Sequence, residues 1–278
     1  MRIGLVSDTH VPQRCQKLPP ALFGALTGAD LILHAGDIGE LAVLDELGAV
    51  APAGGVFGND DSDEARHTLP YQLVLSAAGR RMLLWHGHFE DRAEEAASRA
   101  GDAFEPKLAR IAAQARAAGA QIAVFGHWHI PLVRRMDGVL LVNPGAVASG
   151  NEVTRQLRQT VAMMTVADGA DPHVTHIDLA APDQAYDPQI DWESGFRATL
   201  ERFSASILAP DLAERLILVR QRLTGHEIEL LRGLILPLAH RCWQGELPAI
   251  NLELARNALD ADASLPADAR RRFSQLFN

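Results

Sequence analysis

A chain of 278 residues, 47% of them hydrophobic, is long enough to bury one sizeable core, or one domain and a smaller companion. Its formal net charge of -9 argues against gripping long nucleic acid through bulk charge, and its two cysteines, Cys15 and Cys242, stand far apart and outside any Cys-x-x-Cys pattern, which disfavours a disulfide framework or a zinc knuckle. The opening residues, MRIGLVSDTH, lack the apolar core of a signal peptide, and no apolar run approaches the ~18 residues of a membrane span; a cytoplasmic protein without membrane contact is expected.

Residues 1–6 are almost continuously apolar, the pattern of a strand covered on both faces, and they run into Ser7-Asp8-Thr9-His10. Leu22, Phe23 and Leu26 behind Pro19-Pro20 predict a short helix. Leu31-Ile32-Leu33 predicts a second buried strand ending in His34-Ala35-Gly36-Asp37, and residues 50–56 a third that breaks at Gly58-Asn59-Asp60-Asp61, with a helix marked by Leu41, Leu44 and Leu47 between them. Strands alternating with helices point to an α/β domain. Residues 71–76 and 81–85 predict two strands around Gly79, the second ending in His86-Gly87-His88. Residues 90–118 predict one helix or two, broken near Gly101 and Pro106, with Leu108, Ile111, Ala112 and Ala115 as the apolar stripe. Ile122-Ala123-Val124-Phe125 is a short buried strand that stops at Gly126, after which His127 and His129 flank Trp128.

Asp137-Gly138 between apolar runs predicts a tight hairpin leading to Asn143-Pro144-Gly145, and a second hairpin is expected over residues 160–166 and 173–179. Residues 181–191, with Pro182 and Pro188, suggest a linker between a domain over 1–180 and a helical extension over 192–278. In that extension Trp192, Phe196, Leu200, Phe203 and Ile207 form one stripe; others run over 212–223 and 228–238, and shorter helices are expected around 252–259 and 266–277.

Five predicted strands therefore end in polar residues: Asp8 and His10, Asp37, Asn59, His86, and His127 with His129. In open α/β sheets the crevice lies at the carboxyl ends of the strands, so these loops can meet in space. Oxygen and nitrogen donors without sulfur suit two borderline-hard divalent ions such as Mn²⁺, Fe²⁺ or Zn²⁺. One carboxylate has to be shared between them. Asp37 is the natural choice, as the only ligand of its motif, between Gly36 and Gly39.

Asp-x-His, Gly-Asp, Gly-Asn-x-Asp, His-Gly-His and Gly-His-x-His in this order resemble the calcineurin-like metallophosphoesterase superfamily, most of all its small bacterial and archaeal phosphodiesterase branch, over roughly residues 1–180. The resemblance implies a four-layer α-β-β-α sandwich of two mixed sheets. It implies one metal on Asp8, His10, Asp37 and His129 and a second on Asp37, Asn59, His86 and His127, with Mn²⁺ favoured and Fe, Zn, Ni or Co also compatible. Such ions activate a bridging hydroxide for attack on phosphorus. The expected activity is hydrolysis of small, nucleotide-like phosphodiesters. The alternatives are a phosphomonoesterase, a nuclease, or a non-catalytic scaffold of the same fold, with the helical extension as a candidate homo-oligomer contact.

Where many relatives place a His after the motif Asn, this chain has Asp60, which is ionised at its ordinary pKa and cannot protonate a leaving group. His88 is then the candidate proton donor, beside Asp37 as the other catalytic residue, and Asn59, Asp60 and Asn143 are candidate substrate contacts. His34 is expected to pack at its strand end, Asp61 to cap a helix or orient a ligand, and Arg92, Arg99 and Lys107 to lie on a solvated helix face.

Overall fold

A computed structural model describes residues 1–220 and 223–277. The chain divides into two compact units, one of residues 1–150 and 156–204 and the other of 151–155 and 205–278.

The first unit begins with β1 (Arg2–Val6), α1 (Pro20–Ala25), β2 (Leu31–His34), α2 (Ala42–Gly48), β3 (Ala53–Gly55) and α3 (Asp63–Thr68). It continues with β4 (Gln72–Ala77), β5 (Arg80–Trp85), α4 (Arg92–Arg99), α5 (Phe104–Ala117), β6 (Ile122–Phe125), β7 (Leu132–Met136) and β8 (Val139–Asn143). After β9 (Thr154–Gln156), whose first two residues are counted in the second unit, come β10 (Thr160–Thr165), β11 (His173–Asp178) and α6 (Phe196–Glu201). Two five-stranded mixed sheets result, in the orders β11-β10-β1-β2-β3 and β4-β5-β6-β8-β7. β1, β2 and β3 run parallel to one another, as do β5, β6 and β8, while the β4–β5, β7–β8 and β10–β11 hairpins supply antiparallel edges.

Side-chain alternation along the strands builds the layers. Ile3, Leu5 and Leu33 from one sheet pack on Met82, Leu84, Ile122 and Val124 from the other, forming the core between sheets. The opposite face of the first sheet, with Val6 and Ile32, packs on Leu22 and Leu26 of the α1 segment and on Val43 and Leu47 of α2. On the far side Leu83, Trp85, Ala123 and Phe125 pack on Leu108, Ile111, Ala112 and Ala115 of α5. This is the expected four-layer α-β-β-α sandwich. Apolar runs buried on both faces of the central strands β1, β2, β6 and β8 required it.

The expected turns are present. Asp137 and Gly138, at φ 49° and 80°, close the two-residue β7–β8 turn. The helical stretch before β6 breaks at Gly101, φ 70°, and Pro106 falls in the first turn of α5, where a missing N–H costs nothing.

Residues 181–191 were expected as a linker, yet Tyr186, Ile190, Trp192, Phe196 and Leu200 pack with buried Phe203 against the α5 side of the first unit. Phe104 receives the rings of Trp192 and Phe196 at 5.1 and 5.4 Å between centroids. The apolar stripe drawn from Trp192 to Ile207 is in fact two, because the chain leaves α6 for β12 (Ser204–Ser206) and Ile207 joins another core. Lys107, expected on a solvated face, is 5% exposed. Its Nζ donates to the Ser98 and Ala100 carbonyls and sits 5.0 Å from the Phe196 ring centroid.

The second unit is helical, with α7 (Pro210–Arg220), α8 (Gly225–Trp243), α9 (Leu252–Ala261) and α10 (Ala267–Phe277). The stripe expected over 212–223 coincides with α7 as far as Arg220, and residues 221 and 222 lie outside the described residues. Ile207, Leu212, Leu234, Leu238, Leu259, Phe273 and Phe277 form its core. Thr224 and Glu227 start α8 as a reciprocal capping box. Among the described residues no helix is long and apolar enough to cross a membrane.

Candidate metal centre

The parallel strands of both sheets deliver their carboxyl-terminal loops to one place. Asp8 and His10 follow β1, Asp37 follows β2, Asn59 and Asp60 follow β3, His86 and His88 follow β5, and His127 and His129 follow β6. Backbone bonds lace the loops together: Asp8 N donates to Gly36 O at 3.0 Å, His10 N to Asp37 O at 3.0 Å, and Gly126 N to His86 O at 3.0 Å. Asp8, His10, Asp37, His127 and His129 all hold positive φ between 44° and 67°. Side chains other than glycine rarely sit there, and the concentration of this strain on donor residues marks the loops as functional. Two glycines make the approach feasible. A Cβ on Gly58 would lie 2.1 Å from Asp37 Oδ1, and one on Gly126 would lie 1.9 Å from Ser7 Oγ and 2.8 Å from Asp8 Oδ2.

Among the described residues three overlapping groups have single donor atoms within 4.8 Å of one another: Asp8, His10 and His129; Asp8, Asp37 and His86; and His10, Asp37 and Asp60. Asp37 is the pivot. Its Oδ2 lies 3.6 Å from His10 Nε2 and 3.3 Å from His86 Nε2. Asp8 Oδ1 similarly lies 3.1 Å from His129 Nε2.

These contacts are close, yet Asp8 Oδ1, His86 Nε2 and Asn59 Oδ1 are buried with no hydrogen-bond partner among the described residues. His86 explains why. Its Nδ1 donates to the Ala35 carbonyl at 2.7 Å, which leaves Nε2 as a bare lone pair pointed at a carboxylate oxygen. Two facing acceptors require a cation between them. With only a proton available, burial disfavours the charged ring but the Asp37 carboxylate outweighs it and lifts the His86 pKa to about 10. His129 is raised in the same way, by Asp8 against burial. A divalent cation replaces those protons, so the donor set fits metal ions.

His127 belongs to none of the three donor groups among the described residues. Its Nε2 lies 3.2 Å from Glu95 Oε1, which no motif had flagged. Glu95 stands on α4, a helix with no buried residue, and also accepts from Phe89 N and Arg99 Nε. A carboxylate that accepts a hydrogen bond from Nε2–H leaves the His127 Nδ1 with a lone pair free to act as a donor. Only the fold brings Glu95 there, since nothing local distinguishes it from Glu94 one position before.

Some expectations change and others hold. Asn143, a candidate substrate contact, is fully buried with its amide spent on Gly126 O and Gly145 N, so it braces the β6 loop instead. His88 has both ring nitrogens unpartnered, and burial together with His86 pushes its pKa down to about 3. A neutral ring lacks the extra proton a general acid gives up. Asp61 caps no helix; its oxygens accept from Gly39 N and Gly58 N, tying the loops after β2 and β3. His34 is packed at its strand end against Thr9 Oγ1, 3.0 Å away. Asn59 donates to Asp60 Oδ1 at 2.8 Å and keeps its own oxygen unpartnered, as a ligand does.

Residues 1–169 match the model of the calcineurin-like phosphoesterase superfamily domain. The chain belongs to that superfamily. A probable metallophosphoesterase of Methanothermobacter thermautotrophicus is 34% identical over 146 residues, which are 52% of this chain and 77% of that protein. A second, from Methanocaldococcus jannaschii, is 30% identical over 146 residues, 52% of this chain and 68% of that protein. Among solved structures, Vps29 of Chaetomium thermophilum has 17% identity and a TM-score of 0.48, covering 64% of this chain and 95% of its own. Membership in the calcineurin-like superfamily agrees with a metal-donor cluster lying at the strand ends.

Proposed function

We propose that this protein is a dinuclear-metal hydrolase of phosphodiester bonds in small, nucleotide-like substrates. The observation that carries the reading is Asp37, whose Oδ2 faces His10 and His86 at once while their neighbours keep unpaired lone pairs. Asp8, His10, Asp37 and His129 hold one ion, and Asp37, Asn59, His86 and His127 the other. When bound, such a pair lowers the pKa of a coordinated water and neutralises charge on the phosphate oxygens.

The chain's own residues supply order and orientation. Ala35 O holds His86 in one tautomer, Glu95 does the same for His127, and Asp61 clamps two ligand loops. Asp60, ion-paired with Arg14, and neutral His88 offer no proton to a leaving oxygen. That favours esters whose leaving group is weakly basic. Mn²⁺ is the proposed ion, since oxygen and imidazole donors without thiolate suit it.

The test is turnover of metal-stripped, Mn²⁺-reloaded protein on a chromogenic phosphodiester and on the monoester with the same leaving group. Activity returns with metal and favours the diester on this reading. A protein that binds two ions and cleaves neither ester overturns it.

A further inference from the structure

Among the described residues, Arg14 is a cation beside the donor cluster that the motif set leaves out. Arg14, four residues beyond His10, has a side chain only 11% exposed, and its Nη2 donates to Asp60 Oδ2 at 2.6 Å. Its Nη1 donates to Gly150 O at 3.0 Å and Ser149 O at 3.4 Å, and lies 3.2 Å from both ring nitrogens of His10. Asp60 is tied in turn to the pivot carboxylate, its N donating to Asp37 Oδ1 at 2.9 Å. The guanidinium is thus fixed beside donors from both sides of the metal centre.

We propose that Arg14 grips a non-bridging oxygen of the substrate phosphate and that Asp60, paired with it, makes that grip selective for the singly charged diester; the proposal rests on the phosphodiesterase reading. A structural salt bridge needs no such location. A guanidinium beside a site for two divalent cations is balanced at rest by Asp60 and adds to the attraction for an anion, and its planar fork matches phosphate oxygens. Two backbone carbonyls hold it in place, so little ordering is left to be done on binding. Asp60 carries the opposite charge at the same spot, with a side chain 35% exposed. One phosphate charge fits between the metals and Arg14. The second charge of a monoester meets the Asp60 carboxylate and is repelled.

The experiment compares wild type, Arg14→Ala, Arg14→Lys and Asp60→Asn, each loaded with Mn²⁺, on the matched diester and monoester, with metal content and inorganic phosphate affinity measured on the same samples. Arg14→Ala keeps two ions, loses about 100-fold in kcat/KM on the diester, and binds phosphate about 30-fold more weakly, while Arg14→Lys recovers part of both. Asp60→Asn keeps its metals and shifts the diester-to-monoester ratio about fivefold or more toward the monoester. Arg14→Ala within threefold of wild type at equal metal loading overturns the grip. An unchanged ratio in Asp60→Asn, or loss of an ion from it, overturns the selector. Should wild type load two ions and cleave neither ester, the catalytic reading fails by itself, and the phosphate titration still decides Arg14: affinity lost in Arg14→Ala supports the grip, and affinity kept refutes it.

Discussion

Glu95 Oε1 and His127 Nε2 lie 3.2 Å apart, joining a solvent-facing helix to the loop after β6. No residue of the helix is buried, and this contact, the Phe89 N bond to Glu95 and the Lys107 bonds to the Ser98 and Ala100 carbonyls orient it. Outer-sphere carboxylates of this kind are worth about 10- to 100-fold in metal affinity. Glu95→Ala is expected to weaken one of two Mn²⁺ binding steps by that amount and leave the other alone, with Glu95→Gln between. Calorimetric titration reads both steps. Equal affinities in all three proteins would show that Glu95 does not act through His127.

Asp37→Ala removes the oxygen that faces both His10 and His86. Turnover should vanish, and metal content should fall from two ions to one or none. Wild-type turnover in this variant would sink the dinuclear assignment.

Gly126→Ala places a Cβ against Ser7 Oγ and Asp8 Oδ2 at distances no side chain tolerates, in a loop whose carbonyl is already held by Asn143. A loss of about 3 kcal/mol or more is expected, with displaced Asp8 and reduced metal binding. Thermal melting and metal analysis check this. A variant as stable and as metal-rich as wild type would mean that the loop has room to move.

His176 gives a pH dependence separable from the metal centre. It is 4% exposed and its Nε2 donates to Asn143 O at 2.8 Å; burial, only partly offset by that bond, lowers its pKa to about 4. Above its unfolded value near 6.5 the ring is neutral in both states and the fold keeps its full stability. As pH falls from there toward 4, the unfolded chain takes up a proton that the folded chain refuses, and roughly 3 kcal/mol is lost. Denaturant unfolding between pH 7 and 4 should show a shallower decline in His176→Gln than in wild type. Identical slopes would assign the pH dependence to other groups.

Phe203→Ala tests where the first unit ends. The ring is 1% exposed and shares a core with Phe104, Trp192 and Phe196. Truncating it should cost about 3 to 5 kcal/mol in the unfolding of the first unit, read by denaturant or thermal melting. A change confined to the helical unit would return residue 203 to the extension.

The sequence by itself determined the layered sandwich and the meeting of Asp8, His10, Asp37, His86 and His129 at the strand ends. Apolar runs such as Ile122–Phe125 bury both faces of a strand, which demands helices outside and a second sheet within, and donors placed at the carboxyl ends of parallel strands converge whatever the loops do between them. Tertiary structure alone decided the rest, because it depends on pairs far apart in the chain. Glu95 meets His127 across 32 positions and Arg14 meets Asp60 across 46, with no local pattern announcing either contact. Lys107 looked solvated because its carbonyl partners and the Phe196 ring carry no charge to signal them. Asn143 looked available until its amide was seen spent on backbone, and the stripe from Trp192 to Ile207 looked continuous because helical periodicity records which residues are apolar, not which core receives them.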